Sequence, residues 1–125
     1  MNSIKLTTTV LLLLSATALP VLAQSDPVES YCATMGEQDH FASDGYPLDN
    51  AAAIIRQDRA NYHQFGNQDP SDENDSTFAS KKNRARLEAM LRNGNISSSA
   101  KRAIVNGTPD VCLDIYEDYI DVTVQ

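Results

Sequence analysis

The sequence predicts an α+β fold: a small, helix-rich single domain of about three helices, with short terminal strands linked by one disulfide. Three observations lead there. Apolar residues recur at helical spacing in three segments between residues 50 and 106. β-branched and aromatic residues gather at 111–124, after that helical block, and Tyr31 to Met35 reads as a short strand before it. The only two cysteines, Cys32 and Cys112, lie in or beside those flanking segments.

Residues 1–23 read as a secretory signal peptide. Lys5 supplies a short positive start, Val10 to Leu14 is an unbroken apolar run, and Pro20-Val21-Leu22-Ala23 ends in small residues. Cleavage is expected after Ala23. The apolar stretch is too short and too interrupted, by Ser15, Thr17 and Pro20, for a transmembrane helix of ~20 residues. Position 24 is Gln, so cleavage leaves no N-terminal Cys for a lipid anchor, and no stable membrane anchor is expected. The protein is therefore expected to be secreted or periplasmic, with 24–125 as a single mature domain.

Along that domain, Gln24 to Ser30 reads as a loose N-terminus and Tyr31 to Met35 as a short strand. Gly36 to Pro47 is polar and broken by Gly36, Gly45 and Pro47, so it reads as loop. A first helix follows over about 50–64. Asp49 and Asn50 offer N-caps, and Ala51, Ile54, Ile55, Asp58, Tyr62 and Phe65 form one stripe. Gly66 stands where a left-handed residue ends a helix.

Asn67 to Asp75 is an acidic connection. The second helix starts at Thr77 or Ser80 and runs to Arg92, with Leu87, Met90 and Leu91 as its apolar cluster, extended by Ala85 and Phe78. Asn93-Gly94 ends it. Ser97 caps a third, short helix whose buried side is Ala100, Ala103, Ile104 and Val105. Asn106-Gly107 closes that helix, and Thr108-Pro109 prevents its continuation. Val111 to Val124 reads as strand, but Ile120, Val122 and Val124 fall on the opposite parity from Val111, Leu113 and Ile115. A bulge or turn near Glu117-Asp118 would restore one apolar face.

Two cysteines in an exported domain predict a disulfide, Cys32–Cys112. The alternative, a redox or metal pair, wants a Cys-x-x-Cys spacing that the chain lacks.

Charge is strongly patterned. Residues 24–125 hold all 17 acids and nine of the ten bases, a net −8. A domain this acidic is a poor general ligand for nucleic acid, and no aromatics interleave with its bases. Residues 24–80 carry eleven acids and two bases; residues 81–102 carry seven bases and one acid; residues 103–125 carry five acids and no base. Lys81, Lys82, Arg84, Arg86, Lys101 and Arg102 thus form a candidate basic binding face, unless the acidic flanks neutralise it internally.

The densest polar motif is Arg56 to His63. On a helix, Arg59 and His63 share a face and Asp58 and Tyr62 share the neighbouring one. A carboxylate beside His63 would orient it for general-base work, so Asp58, Arg59, Tyr62 and His63 are candidate catalytic residues. Alternatively, Asp58 pairs with Arg59, Tyr62 packs on the core and His63 is a surface residue near a helix C-terminus. His40 and His63 make a weak metal pair, and no metal ligand set or cofactor is assigned. The run Asp69 to Asp75 suggests calcium but lacks the sixth-position Gly and twelfth-position Glu of an EF-hand. Nucleophile-elbow, P-loop, zincin and haem-attachment motifs are absent. The leading expectation is a small interaction protein with a protein partner. A small hydrolase or anion-binding enzyme and a divalent-cation module are the alternatives.

Overall fold

The computed structural model describes residues 15–125. The signal-peptide reading rests mainly on residues 1–14, which lie outside the described residues. Residues 15–27 are exposed and have no regular secondary structure. Among the described residues no helix is long and apolar enough to cross a membrane. That fact and the disulfide are compatible with an extracellular or periplasmic location.

The fold is α+β. Three helices, α1 (Ala51–Ala60), α2 (Lys81–Asn93) and α3 (Ser98–Asn106), pack on a three-stranded antiparallel sheet. Its strands are β1 (Glu29–Thr34), β2 (Asp110–Ile115) and β3 (Ile120–Val124), in that spatial order. The whole helical block is inserted between β1 and β2.

The sheet alternates as an amphipathic sheet must. Tyr31, Ala33, Val111, Leu113, Ile115, Ile120 and Val122 are buried against the helices. Ser30, Cys32, Thr34, Asp110, Cys112, Asp114 and Thr123 take the other parity and face outward, exposed or half-buried. Val111 to Val124 is not one strand but a hairpin. Tyr116 N donates to Tyr119 O, and the two rings stack with centroids 4.3 Å apart. The turn reverses the parity, so Ile120 and Val122 share a face with Ile115 and Leu113. β1 begins two residues earlier than the apolar pattern indicates, because the ladder extends to Glu29 opposite Ile115. Met35, past its end, is fully buried.

Cys32 and Cys112 sit directly opposite each other in the β1–β2 register, Cα atoms 4.0 Å apart, and are disulfide-bonded on the outer face. The bridge joins the two strands across a separation of 80 residues.

The helix caps follow local chemistry. Asn50 Oδ1 accepts from Ala53 N at 2.9 Å, Ser80 Oγ from Asn83 N at 3.3 Å, and Ser97 Oγ from Ala100 N at 3.0 Å. The choice between Thr77 and Ser80 as helix start resolves into both. Thr77–Ala79 is a separate 3₁₀ turn, and α2 starts after Ser80. The first helix runs on past α1 as a π turn, Asn61–Phe65, ended by Gly66 in the left-handed region (φ 68°). Phe65 is half exposed and Ala85 exposed, so neither belongs to the core stripes expected of them. Gly94 ends α2 for a different reason from Gly66. Its φ is −101°, which any residue adopts. A Cβ there would collide with the backbone carbonyl of Ile120, so glycine lets the loop after α2 lie against β3. Val122 N then donates to Asn95 O, and Asp121 Oδ1 accepts from Asn95 N, which covers that edge of the sheet.

Candidate functional site

The polar motif on the first helix is built into the centre of the fold. Arg59 is fully buried and Asp58 nearly so. Arg59 Nε donates to Asp58 Oδ2 at 2.7 Å. Its Nη1 donates to Asp75 Oδ1 at 2.9 Å and to Glu73 O at 3.0 Å. The guanidinium lies between two aromatic rings, with its carbon 4.2 Å from the Tyr31 centroid and 4.5 Å from that of Tyr62. Phe78 meets Tyr31 edge-on at 6.4 Å. One side chain thereby ties the first helix to β1, to the acidic connection and to the 3₁₀ turn.

His63 is not the surface residue of the simpler reading. Its side chain is 9% exposed, and Nε2 lies 2.8 Å from the same Asp75 Oδ1 that Arg59 binds. Asp75 Oδ2 accepts from Phe78 N at 2.5 Å and so caps the 3₁₀ turn. The structure brings Asp58, Arg59, Tyr62 and His63 together, with the carboxylate beside His63 supplied by Asp75 rather than Asp58. Asp75, Tyr31 and the Glu73 carbonyl are members that helical spacing alone does not reveal. Five surface clefts of about 250–400 Å³ are lined by other residues. Asp58 and Arg59 are shut off from solvent, and the arrangement holds four segments together.

The acidic connection has a structural use too. Cys32 N donates to Glu73 Oε2 at 2.7 Å, Glu73 N to Cys32 O at 2.9 Å, and Thr34 N to Asp72 Oδ1 at 2.9 Å. The loop therefore pairs with the free edge of β1, carboxylates standing in for the carbonyls of a missing strand. On the same side of the fold, Glu29 accepts from the backbone and hydroxyl groups of Ser76 and Thr77. Burial would raise its pKa, but those bonds, led by Thr77, hold it below the ordinary carboxylate value. Among the described residues no group of three or more His, Cys, Asp or Glu is placed to hold a metal ion. His40 and His63 have different partners. His40 Nδ1 lies 2.8 Å from Gly36 O and its Nε2 2.8 Å from Ile104 O, which ties the 3₁₀ turn Glu37–His40 to the end of α3.

Two buried carboxyls carry a pH signature. Burial pushes Asp58 up to about 8, against the attraction of Arg59. Burial likewise pushes Asp39 up to about 6, although Asn61 and Gly36 N donate to it. A carboxyl whose folded pKa exceeds its unfolded value binds more protons when folded. Its contribution to stability is therefore complete below the unfolded value, near 3.8, and is lost as pH rises through the folded one. Urea midpoints are expected to fall between pH 5 and pH 9, and Asp58→Asn to flatten the upper part of that decline. A midpoint that rises over the interval would contradict the assignment.

The basic candidates separate into two groups. Lys81, Lys82, Arg86, Lys101 and Arg102 are exposed. On α2, Lys81, Lys82, Arg86 and Arg92 surround Ala85 and Ala89 on the outward arc. Arg86 is 3.7 Å from Asp118, an exposed pair of little energetic weight. Among the described residues Lys81, Lys82, Arg92, Lys101 and Arg102 make no ion pair. Arg84 does not belong to this face. It lies three and seven residues before Leu87 and Leu91, on the inward side, is 7% exposed, and donates through Nη1 to Phe78 O at 2.7 Å and Ala79 O at 3.0 Å. A cleft of about 280 Å³ between the start of α1, the end of α2 and α3 carries Arg92 and Lys101 over an apolar floor of Ala51, Leu91 and Ile96.

The class these features define is a small α+β domain closed by one cross-strand disulfide and knotted by a buried Asp–Arg–Asp cluster. Comparison with protein-family models, with curated proteins and with solved structures finds no match.

Proposed function

We propose that this chain is a small exported interaction protein that docks an acidic protein partner through the outward face of α2 and α3. The observation that carries the reading is the set of exposed cations Lys81, Lys82, Arg92, Lys101 and Arg102, unpaired among the described residues, on a domain of net charge −8. Arg92 and Lys101 line one cleft and so link the cations of the two helices, and an acidic remainder gives the set directional value. It attracts a negative surface in one orientation, while the rest of the molecule repels it. Ala85 and Ala89 between the cations keep the centre of the face low, so a partner can approach the helix closely. Export is supported by the apolar leader ending at Ala23 and by the disulfide. The catalytic reading of Asp58, Arg59, Tyr62 and His63 has less support, because the first two are sealed from solvent.

The test is a comparative capture from native extract of the source organism. The wild-type domain is expected to retain an acidic protein in stoichiometric amount, released by raised salt. A Lys82→Glu/Arg102→Glu double variant, folded by circular dichroism, is expected to lose it. Equal recovery by both forms would refute the proposed face.

A further inference from the structure

A second cleft, also about 280 Å³, lies between the 42–48 loop, α1 and α2, and its lining includes Arg56, Lys81, Arg84 and Glu88. Arg84 makes it more than a dent in a charged surface. The residue is 7% exposed and has no carboxylate within 4.0 Å among the described residues. Its Nη1 is satisfied by Phe78 O and Ala79 O, whereas Nε and Nη2 make no hydrogen bond among the described residues. Those two nitrogens are not among the atoms sealed without a partner in the interior, which are Tyr31 Oη and Arg59 Nη2. They therefore keep contact with solvent, and Arg84 lines this cleft.

A guanidinium taken largely out of water without a counter-ion is costly. Two further cations border the same space, where like charges repel, and only Glu88 opposes them. Such an arrangement is stabilised by a bound anion. Three cations against one carboxylate leave two positive charges, which match a phosphate monoester of about −1.5 to −2. The free edge of Arg84 presents Nε and Nη2 as a fork suited to two oxygens of one phosphate. Gln64 and Ser43, also in the lining, supply polar contacts for a small attached group. The volume falls just below the range of pockets for drug-sized ligands, roughly 300–1,000 Å³.

We propose that this cleft is a phosphate-binding site, with Arg84 as the buried anchor and Arg56 and Lys81 as its exposed clamps. Its anchor Arg84 and its clamp Arg56 are not part of the docking face above; Lys81 alone is shared with that face. The experiment titrates the folded full-length domain at low ionic strength with inorganic phosphate and, separately, with glycerol 3-phosphate. Sodium chloride at matched ionic strength is the control. The readouts are melting temperature and the NMR shift of the Arg84 Nε–H.

Both phosphate probes are expected to raise the melting temperature saturably and to move the Arg84 signal, and chloride to do neither. Tighter binding of glycerol 3-phosphate identifies an ester as the ligand form; equal binding identifies the free ion. Arg56→Ala is expected to weaken binding roughly threefold, the scale of one exposed ionic contact. Arg84→Lys keeps the charge but loses the fork and is expected to abolish the response. If Arg84→Lys does not fold, an Arg56→Ala/Lys81→Ala double variant takes its place, with binding expected to weaken roughly tenfold, two such contacts combined. A response equalled by chloride, or unchanged in the double variant, would overturn the proposal, as would no response to either phosphate probe.

Discussion

Replacing Arg59 by alanine is expected to cost about 3–5 kcal/mol, the scale for removing one partner of a buried charge cluster. Against a total of about 5–15 kcal/mol for an ordinary domain, that is between about a fifth and the whole of the stability. The loss is large because Arg59 is not a surplus contact. It donates to Asp58, Asp75 and the Glu73 carbonyl, and fills the space between Tyr31 and Tyr62. Without it, two nearly inaccessible carboxyls face each other across a void. Arg59→Lys is expected to lie between the two, since an ammonium keeps the charge but cannot reproduce the fork or the stacking. Urea unfolding checks the series. An Arg59→Ala midpoint within the error of wild type would show that the cluster does not hold the fold.

Removing the disulfide is the second large effect. A Cys32→Ala/Cys112→Ala variant is expected to lose about 4 kcal/mol, because the bridge closes a long loop and restricts the unfolded chain. Both cysteines are half-buried on the outer face of the sheet, so little core packing goes with them. The loss should therefore come mainly from unfolded-state freedom, with the β1–β2 ladder kept in the folded fraction. Equilibrium unfolding of the double variant beside the oxidised wild type measures this. A free-thiol assay on the native protein is expected to find none. An unchanged midpoint in the variant would show that the unfolded chain is already compact enough to make the bridge redundant.

Much of the fold was legible in local sequence. Asn50, Ser80 and Ser97 act through a side-chain oxygen that reaches a backbone N–H three residues on, a distance the chain itself supplies. Gly66 was readable for the same reason, since a left-handed helix end favours glycine whatever surrounds it. The parity break after Ile115 signalled a turn, because side chains in a strand alternate strictly. Gly94 is legible as a helix end, but not the reason that glycine stands there. Its need for no side chain arises from Ile120, 26 residues later, and no local pattern contains that.

The polar cluster divides in the same way. Asp58, Arg59, Tyr62 and His63 could be grouped from helical spacing, because residues three and four apart share a helix surface. Nothing in that spacing says whether the surface faces water. The tertiary structure turned it inward and supplied Asp75, Glu73 and Tyr31 from elsewhere in the chain. The acidic run was legible as charge and not as the cover of an exposed strand edge. Edge pairing depends on which strand lacks a neighbour, a property of the sheet.

The sequence by itself determined the class of fold, the three helices with their caps, the cysteine pairing and the separation of acidic from basic segments. Each of these depends on contacts a few residues apart, or on there being only one way to pair two cysteines. The tertiary structure alone decided that Asp58 and Arg59 are interior, that Asp75 is the residue joining Arg59 to His63, and that Arg84 leaves the basic face for a cleft of its own. Those outcomes depend on which side of each helix meets the sheet. Burial of the largest apolar area settles that, and it carries along whichever charged residues share the buried side.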